Sequence, residues 1–276
     1  MNIISKSIFC AVILIITLSS PPSSFGQSTE VNKAVLADQI IDQMALANQL
    51  KQPPQSFRMQ FSHNPFGLPA QKNAQLLEEF KEAYVTDLLV RDFKASLQQK
   101  MANRDETQIQ RWLKKQSTQS VLQAKQEYYT LQGKRKRIIA LYEMEQKPAS
   151  PKRSTLIATF VDTTSAVQAS VESAVIVFRS LVEGLNKVSD QRNFTDTQMQ
   201  MIINNYKAQM QPQASQKISN RLLVTYHNIK TNALQDYLAF FKTDAGQWLD
   251  QAINKSMQSV YEAAAERFLT AIDSDQ

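Results

Sequence analysis

Cysteine, histidine and glycine are all scarce in this 276-residue chain: one, two and five respectively. Cys10 lies inside an apolar run near the N-terminus. Once that run is removed no thiol remains, which excludes disulfides, thiolate metal sites and cysteine nucleophiles. His63 and His227 stand far apart, and neither belongs to a His-x-x-x-His or His–Glu pattern, so no zinc signature is present. Gly-x-Ser-x-Gly, Ser-x-x-Lys and phosphate-cradling glycine-rich loops are also missing. Paired acids do occur, as Glu78/Glu79 and Glu143/Glu145, but at positions where helices face solvent. A carboxylate-pair hydrolase is left open by sequence alone, on an unusual polar, glycine-poor frame. No metal and no cofactor is expected, and the chain is read as a non-enzyme.

The N-terminus reads MNIISKSIFCAVILIITLSSPPSSFGQS. Lys6, the short apolar run Ile8–Leu18 and the small residues Ser24 and Gly26 form a secretory signal peptide over residues 1–26, cut before about Gln27. The run is shorter than the roughly 20 residues a membrane span needs, and no later run approaches that length. The mature chain is therefore expected to be periplasmic, with no transmembrane segment. It would carry 30 basic and 25 acidic residues, a net +5. Residues 133–153 alone hold seven basic and two acidic residues, so the basic excess is local.

Glu, Gln, Lys, Ala and Leu dominate and no long period-two alternation occurs, which predicts an all-α fold. The spacing predicts a first helix over about 31–52, stopped by Pro53-Pro54. Residues 53–70 then read as a long connection with Phe57, Met59 and Phe61 alternating along an extended piece, and with Phe66 nearby. Helices follow over about 71–102, with Leu77, Phe80, Tyr84 and Leu88 inward, and from Asp105, its cap, through Ile138 and Leu141 with a bend at Gly133. Lys147–Arg153 breaks the chain into an N-terminal half, 27–148, and a C-terminal half, 149–276.

From Ile157 to Val188 apolar residues recur at alternating spacings of three and four, predicting one heptad-patterned helix roughly 50 Å long. Thr195 and Gln198 form a capping box for the next, which Pro212 would end. Helices over about 215–242 and 243–272 complete an elongated bundle of long antiparallel helices. DETQIQRWLKKQSTQSVLQA from Asp105 and TDTQMQMIINNYKAQMQPQA from Thr195 match at six of twenty positions, an echo compatible with two duplicated halves.

FFKTDAGQWL, Phe240–Leu249, places a glycine where no turn requires one. Thr243 is a natural N-cap, and Gly246 at the third helical position costs roughly 1 kcal/mol against Ala. Its expected return is close passage of one helix past the aromatic end of the other. The same stretch resembles the F-[FY]-x-[ST]-P-x-G-[QK] segment of an uncharacterised secreted family of Gram-negative bacteria, the domain-of-unknown-function family numbered twenty fifty-nine. FTDTQMQMIINNYK, from Phe194, resembles the helix that opens that domain. The similarity covers 194–260 and departs at Asp244, where the family commonly has Pro. It implies a small all-helical periplasmic domain and no assigned activity.

Two surface features suggest function. Lys134, Arg135, Lys136 and Arg137, with Lys152 and Arg153 across the break, form a candidate anion- or partner-docking end. Four consecutive helical positions surround the cylinder, so they cannot all face one partner. Nucleic acid is excluded as a partner by compartment and by the lack of interleaved stacking aromatics; an anionic envelope surface or an acidic protein fits better. The first reading is a non-catalytic interaction or assembly protein of the cell envelope, binding another protein or itself. The alternative is a carrier of an apolar ligand such as a lipid, covered by Phe57, Met59, Phe61 and Phe66 as a lid.

Overall fold

The computed structural model describes residues 25–102, 106–189 and 194–274, with side chains from Lys33 onward. Residues 1–24, Cys10 and most of the expected signal peptide among them, and Asp105, the expected cap, lie outside these. Every regular element is an α-helix and no strand occurs among the described residues. In chain order they are α1 Phe25–Gln43, α2 Leu46–Leu50, α3 Gln52–Phe61, α4 Ala70–Ala83, α5 Thr86–Met101, α6 Thr107–Lys114 and α7 Gln116–Glu127. Then come α8 Leu131–Gln146, α9 Pro151–Thr163, α10 Ala166–Val188, α11 Asp196–Thr225, α12 Thr231–Phe241 and α13 Asp244–Ser274.

α13 is the hub. It packs against α10, α5, α4, α12 and α6, burying Leu249, Ile253, Val260, Ala264 and Phe268. α10 lies beside it and also touches α11, α3 and α4. One cluster of buried side chains runs from Leu36 to Ile272. The Lys147–Arg153 break therefore separates α8 from α9 along the chain but does not divide the core.

Several expected long helices are broken, and each break has a local cause. Ala45 sits in the left-handed region (φ 52°), ending α1 near Gln43. The Gln49 side chain donates to the freed Met44 carbonyl at 2.9 Å. The heptad-patterned segment likewise breaks at Ser165 (φ 46°), and α9 and α10 meet at a 52° bend instead of forming one 50 Å rod. The pattern itself points inward: Ile157, Phe160, Val171, Leu181 and Leu185 are all buried. The stripe is a core face of two helices, not a supercoil seam.

Proline behaves oppositely to expectation at two places. Pro53-Pro54 does not stop a helix but opens α3, where the missing N–H groups are unpaired in any helix. Phe57 and Phe61 are thus one turn apart on a helix, not alternating on an extended piece. Pro212 does not end α11, which runs through it for 30 residues. A single missing hydrogen bond is tolerated there because α11 is held against α9 and α10. The Thr195/Gln198 capping box is present with both of its hydrogen bonds.

The helix breaks are pinned by donors from distant sequence. Tyr261 Oη donates to the Leu50 carbonyl at 2.8 Å, closing α2. Arg267 donates to the Ala83 carbonyl at 3.2 Å and to Asp92 at 2.7 Å, closing α4 and holding α5. Arg153 donates to Ile229 O at 2.8 Å and also to Tyr226 O, closing α11. Helix C-termini leave carbonyls without intrahelical partners, and these side chains supply them.

The echo at an offset of 90 residues does not become a structural repeat. α6 ends at Lys114, whereas α11, entered from the matching position, continues to Thr225. A different repeat is visible. Thr243 Oγ1 accepts from Gly246 N at 3.2 Å and donates to Phe240 O at 2.7 Å. Thr130 Oγ1 accepts from Gly133 N at 2.9 Å and donates to Glu127 O at 2.8 Å. Both Thr-x-x-Gly corners turn one helix into the next so tightly that a Cβ on the glycine would meet the carbonyl oxygen six residues earlier, at 1.8 Å for Gly133 and 2.0 Å for Gly246. Close passage is thus the role of Gly246, against the backbone of Phe240 and Phe241 rather than their rings.

Candidate docking surface

The second of these corners in importance to the core, at Thr130, is the first in importance to the surface, because it launches α8. Thr130 caps the helix, and Gly133 lets α8 fold back close to the end of α7. Gly133 and Ala140, seven residues apart, form the buried side. A shallow groove of about 110 Å³ separates α7, α8 and the end of α11, lined by Glu127, Tyr128, Lys136, Arg137, Ala140 and His227 among others.

The opposite side of α8 is open. Leu131, Ile138, Ile139, Leu141 and Tyr142 are 50–72 % exposed. They are five of the nine large hydrophobic side chains that stand exposed among the described residues, all in one 16-residue helix. Ile138 and Leu141, read from sequence only as members of the helix that follows Asp105, lie outside the bundle. The bend at Gly133 is sharper than a bend, a full corner, and it re-aims the helix so that only its small residues face inward.

The four consecutive basic residues divide as helical geometry requires. Lys136 pairs with Glu127 at 2.6 Å. Arg137 turns inward, stacks over the Tyr128 ring at 4.2 Å and donates to the Tyr128 carbonyl. Both therefore serve the corner. Lys134 and Arg135 are exposed and make no ion pair with another described residue. On the far side of the break Arg153 closes α11, and burial lowers its pKa. Lys152 alone of that pair is exposed. The candidate docking end thus reduces from six cations to Lys134, Arg135 and Lys152.

Near the C-terminal end of α8, His227 Nε2 lies 2.8 Å from Glu143 Oε2. A His–acid contact is absent from the local sequence because the partners are 84 positions apart. Among the described residues no cluster of three His, Cys, Asp or Glu could hold a metal ion.

The four lid residues are distributed differently. Phe57 and Phe61 are buried on α3, and Phe57 lies 5.8 Å from the rings of both Phe178 and Tyr206. Phe66 packs 5.2 Å from Phe61. Met59 faces outward onto a groove of about 810 Å³ between α3 and α4. Seven of the nine residues lining that groove are polar or charged, Arg58, Glu78 and Lys81 among them, and Met59 and Leu77 supply two apolar side chains. Of the four residues expected as a lid, Phe57 and Phe61 are core, Phe66 packs against them and Met59 is exposed.

One polar cluster is internal. Burial lowers the Lys125 pKa to about 8, aided by Arg221 and opposed by Asp250. Burial raises that of Asp250 to about 7, with Lys125 and an Asn254 hydrogen bond opposing. Tyr226 and Tyr237, both buried near them, are raised as well. None of these residues lines the groove between α3 and α4 or the one beside α8.

No protein-family model, curated protein or solved structure matches this chain. No single helix among the described residues is long and apolar enough to cross a membrane. The bent α9–α10 pair reaches that threshold by length and composition only, and it carries much of the buried core.

Proposed function

We propose that the chain is a non-catalytic interaction or assembly protein of the bacterial cell envelope that docks through the outward side of α8. The observation that carries this reading is the concentration of exposed apolar side chains on that one helix. Burying such side chains on a partner is worth roughly 25 cal/mol per Å², and monomeric proteins rarely leave so many together. The envelope location rests on the N-terminal leader pattern. The open groove between α3 and α4, of mixed polar and apolar lining, gives the ligand-carrier alternative less support.

The test compares wild type with a triple variant, Leu131→Ser, Ile138→Ser and Tyr142→Ser, in gently extracted envelope fractions. Size-exclusion chromatography should place the wild type above the size of a single mature chain, itself below the 31.3 kDa of the full sequence, and the variant at that size. Far-UV circular dichroism should be the same for both. Co-elution of the two at monomer size would remove the reading.

A further inference from the structure

The charges left over on α8 identify its partner. Helix dipoles favour acids in the first turn and bases in the last. α8 has neither, and instead runs from basic to acidic, with Lys134–Arg137 near its start and Glu143 and Glu145 at its end. Inside the chain part of this is compensated: Lys136 by Glu127, Arg137 by the Tyr128 carbonyl and ring, Glu143 by His227. Lys134 and Arg135 at one end and Glu145 at the other are exposed, and none of the three pairs with another described residue.

These uncompensated charges bracket the apolar stripe. At 100° per residue Leu131, Arg135, Ile138, Tyr142 and Glu145 fall within about 80° of arc, opposite the buried Ala140. Arg135 and Glu145 lie five residues either side of Ala140, and Ile138 and Tyr142 lie two either side. The pattern is its own complement when reversed. We propose that α8 pairs antiparallel with α8 of a second copy of this chain, about a two-fold axis at the level of Ala140. Arg135 then meets the partner copy's acid at 145, Ile138 packs on its tyrosine at 142, and Ile139 on its leucine at 141. Each helix also places its positive end beside the other's negative end, which offsets the arrangement that is unfavourable in one copy alone. An anionic membrane would answer the basic end only and would leave Glu145 against like charge.

This inference rests on the docking reading above and deepens it. A pair of helices about 24 Å long buries little area, so the dimer is weak, with a dissociation constant on the order of 10 µM. Sedimentation equilibrium of the purified mature chain between about 1 and 200 µM should follow a monomer–dimer isotherm. Arg135→Glu and Glu145→Arg should each weaken it at least about tenfold, because the two-fold sets two like-charge contacts per dimer. The double variant should recover wild-type association. Both single changes improve the match to the helix dipole, so loss of dimer cannot be ascribed to unfolding of α8.

A wild type that stays monomeric throughout overturns the inference, as does a double variant no better than the single ones. If the isolated protein is monomeric yet the envelope-extract shift still depends on Leu131, Ile138 and Tyr142, docking stands and self-pairing falls. Co-sedimentation of the monomer with phosphatidylglycerol vesicles, lost in the triple variant, would assign the face to a membrane and likewise overturn self-pairing.

Discussion

Gly246→Ala should destabilise the protein although it raises helix propensity. Replacing a helical glycine by alanine ordinarily gains about 1 kcal/mol. Here the new methyl would sit 2.0 Å from Phe240 O and 2.7 Å from Phe241 Cα, while ordinary contact begins at 3.4 Å. The corner must open by about 1.4 Å to admit it. The obstacle is backbone, so no rotamer change relieves it. Opening breaks the Gly246 N–Thr243 Oγ1 cap, worth about 1 kcal/mol. It also lifts Phe240 and Phe241 from Trp112, whose ring stacks at 4.3 Å on the first and meets the second edge-on at 5.5 Å. Aromatic pairs of this kind contribute about 1 kcal/mol each, and forced repacking costs about 1–3. After subtracting the propensity gain of about 1 kcal/mol, a net loss of about 3–5 kcal/mol remains, or roughly 6–20 °C in Tm for a chain of this size. Urea titration followed by tryptophan fluorescence measures it directly. A variant as stable as wild type, or more so, would show that close approach at the corner is not what the glycine supplies.

Gly133→Ala meets Glu127 O at 1.8 Å but at a corner with fewer buried rings, so a loss of about 1 kcal/mol is expected, with faster amide exchange confined to α8. Arg153→Met leaves the Ile229 carbonyl without its donor and the Tyr226 carbonyl with only the Ile229 N–H, and should cost about 1–2 kcal/mol by denaturant melt; Arg153→Lys recovers little, since an ammonium cannot fork to both. Phe57→Ala should cost about 3–4 kcal/mol while Met59→Ala changes stability by less than about 0.5, the reverse of what two lid residues would show. Stability should also depend on pH through the internal pair. Folding raises the Asp250 pKa from 3.8 to about 7, so the folded state holds the extra proton and stability falls between about pH 4 and 7. Folding lowers the Lys125 pKa from 10.5 to about 8, so stability recovers between about pH 8 and 10.5. Asp250→Asn should abolish the fall at the acid side, as read from Tm against pH.

The helical class was written plainly in composition, and most inward stripes were legible from spacing: Leu249, Val260, Ala264 and Phe268 are buried as their period requires. Helix ends were less legible. Ala45 and Ser165 adopt positive φ, although neither residue type favours that conformation. Their breaks are imposed by packing and by side chains such as Gln49 that satisfy the freed carbonyls. Pro212 was misleading because tertiary support on α11 outweighs one lost hydrogen bond. The docking surface was half visible. The basic run was found, but its division into inward and outward members depends on Glu127 and Tyr128 across the corner. Spacing placed Ile138 and Leu141 on a helix but gave them no side, because α8 carries apolar residues over a wide arc. The signal that marks its true inner side is the pair of small residues Gly133 and Ala140, seven apart.

Docking through α8 requires that its outward side, and not its buried side, touch a partner. A photo-crosslinking residue placed in turn at each position from 131 to 146 tests this in the native envelope. Adduct yield should follow the helical period, peaking at positions 131, 135, 138 and 142 and vanishing at 133 and 140. Yields without that period, or equal to those from the exposed position Gln251 on α13, would contradict it.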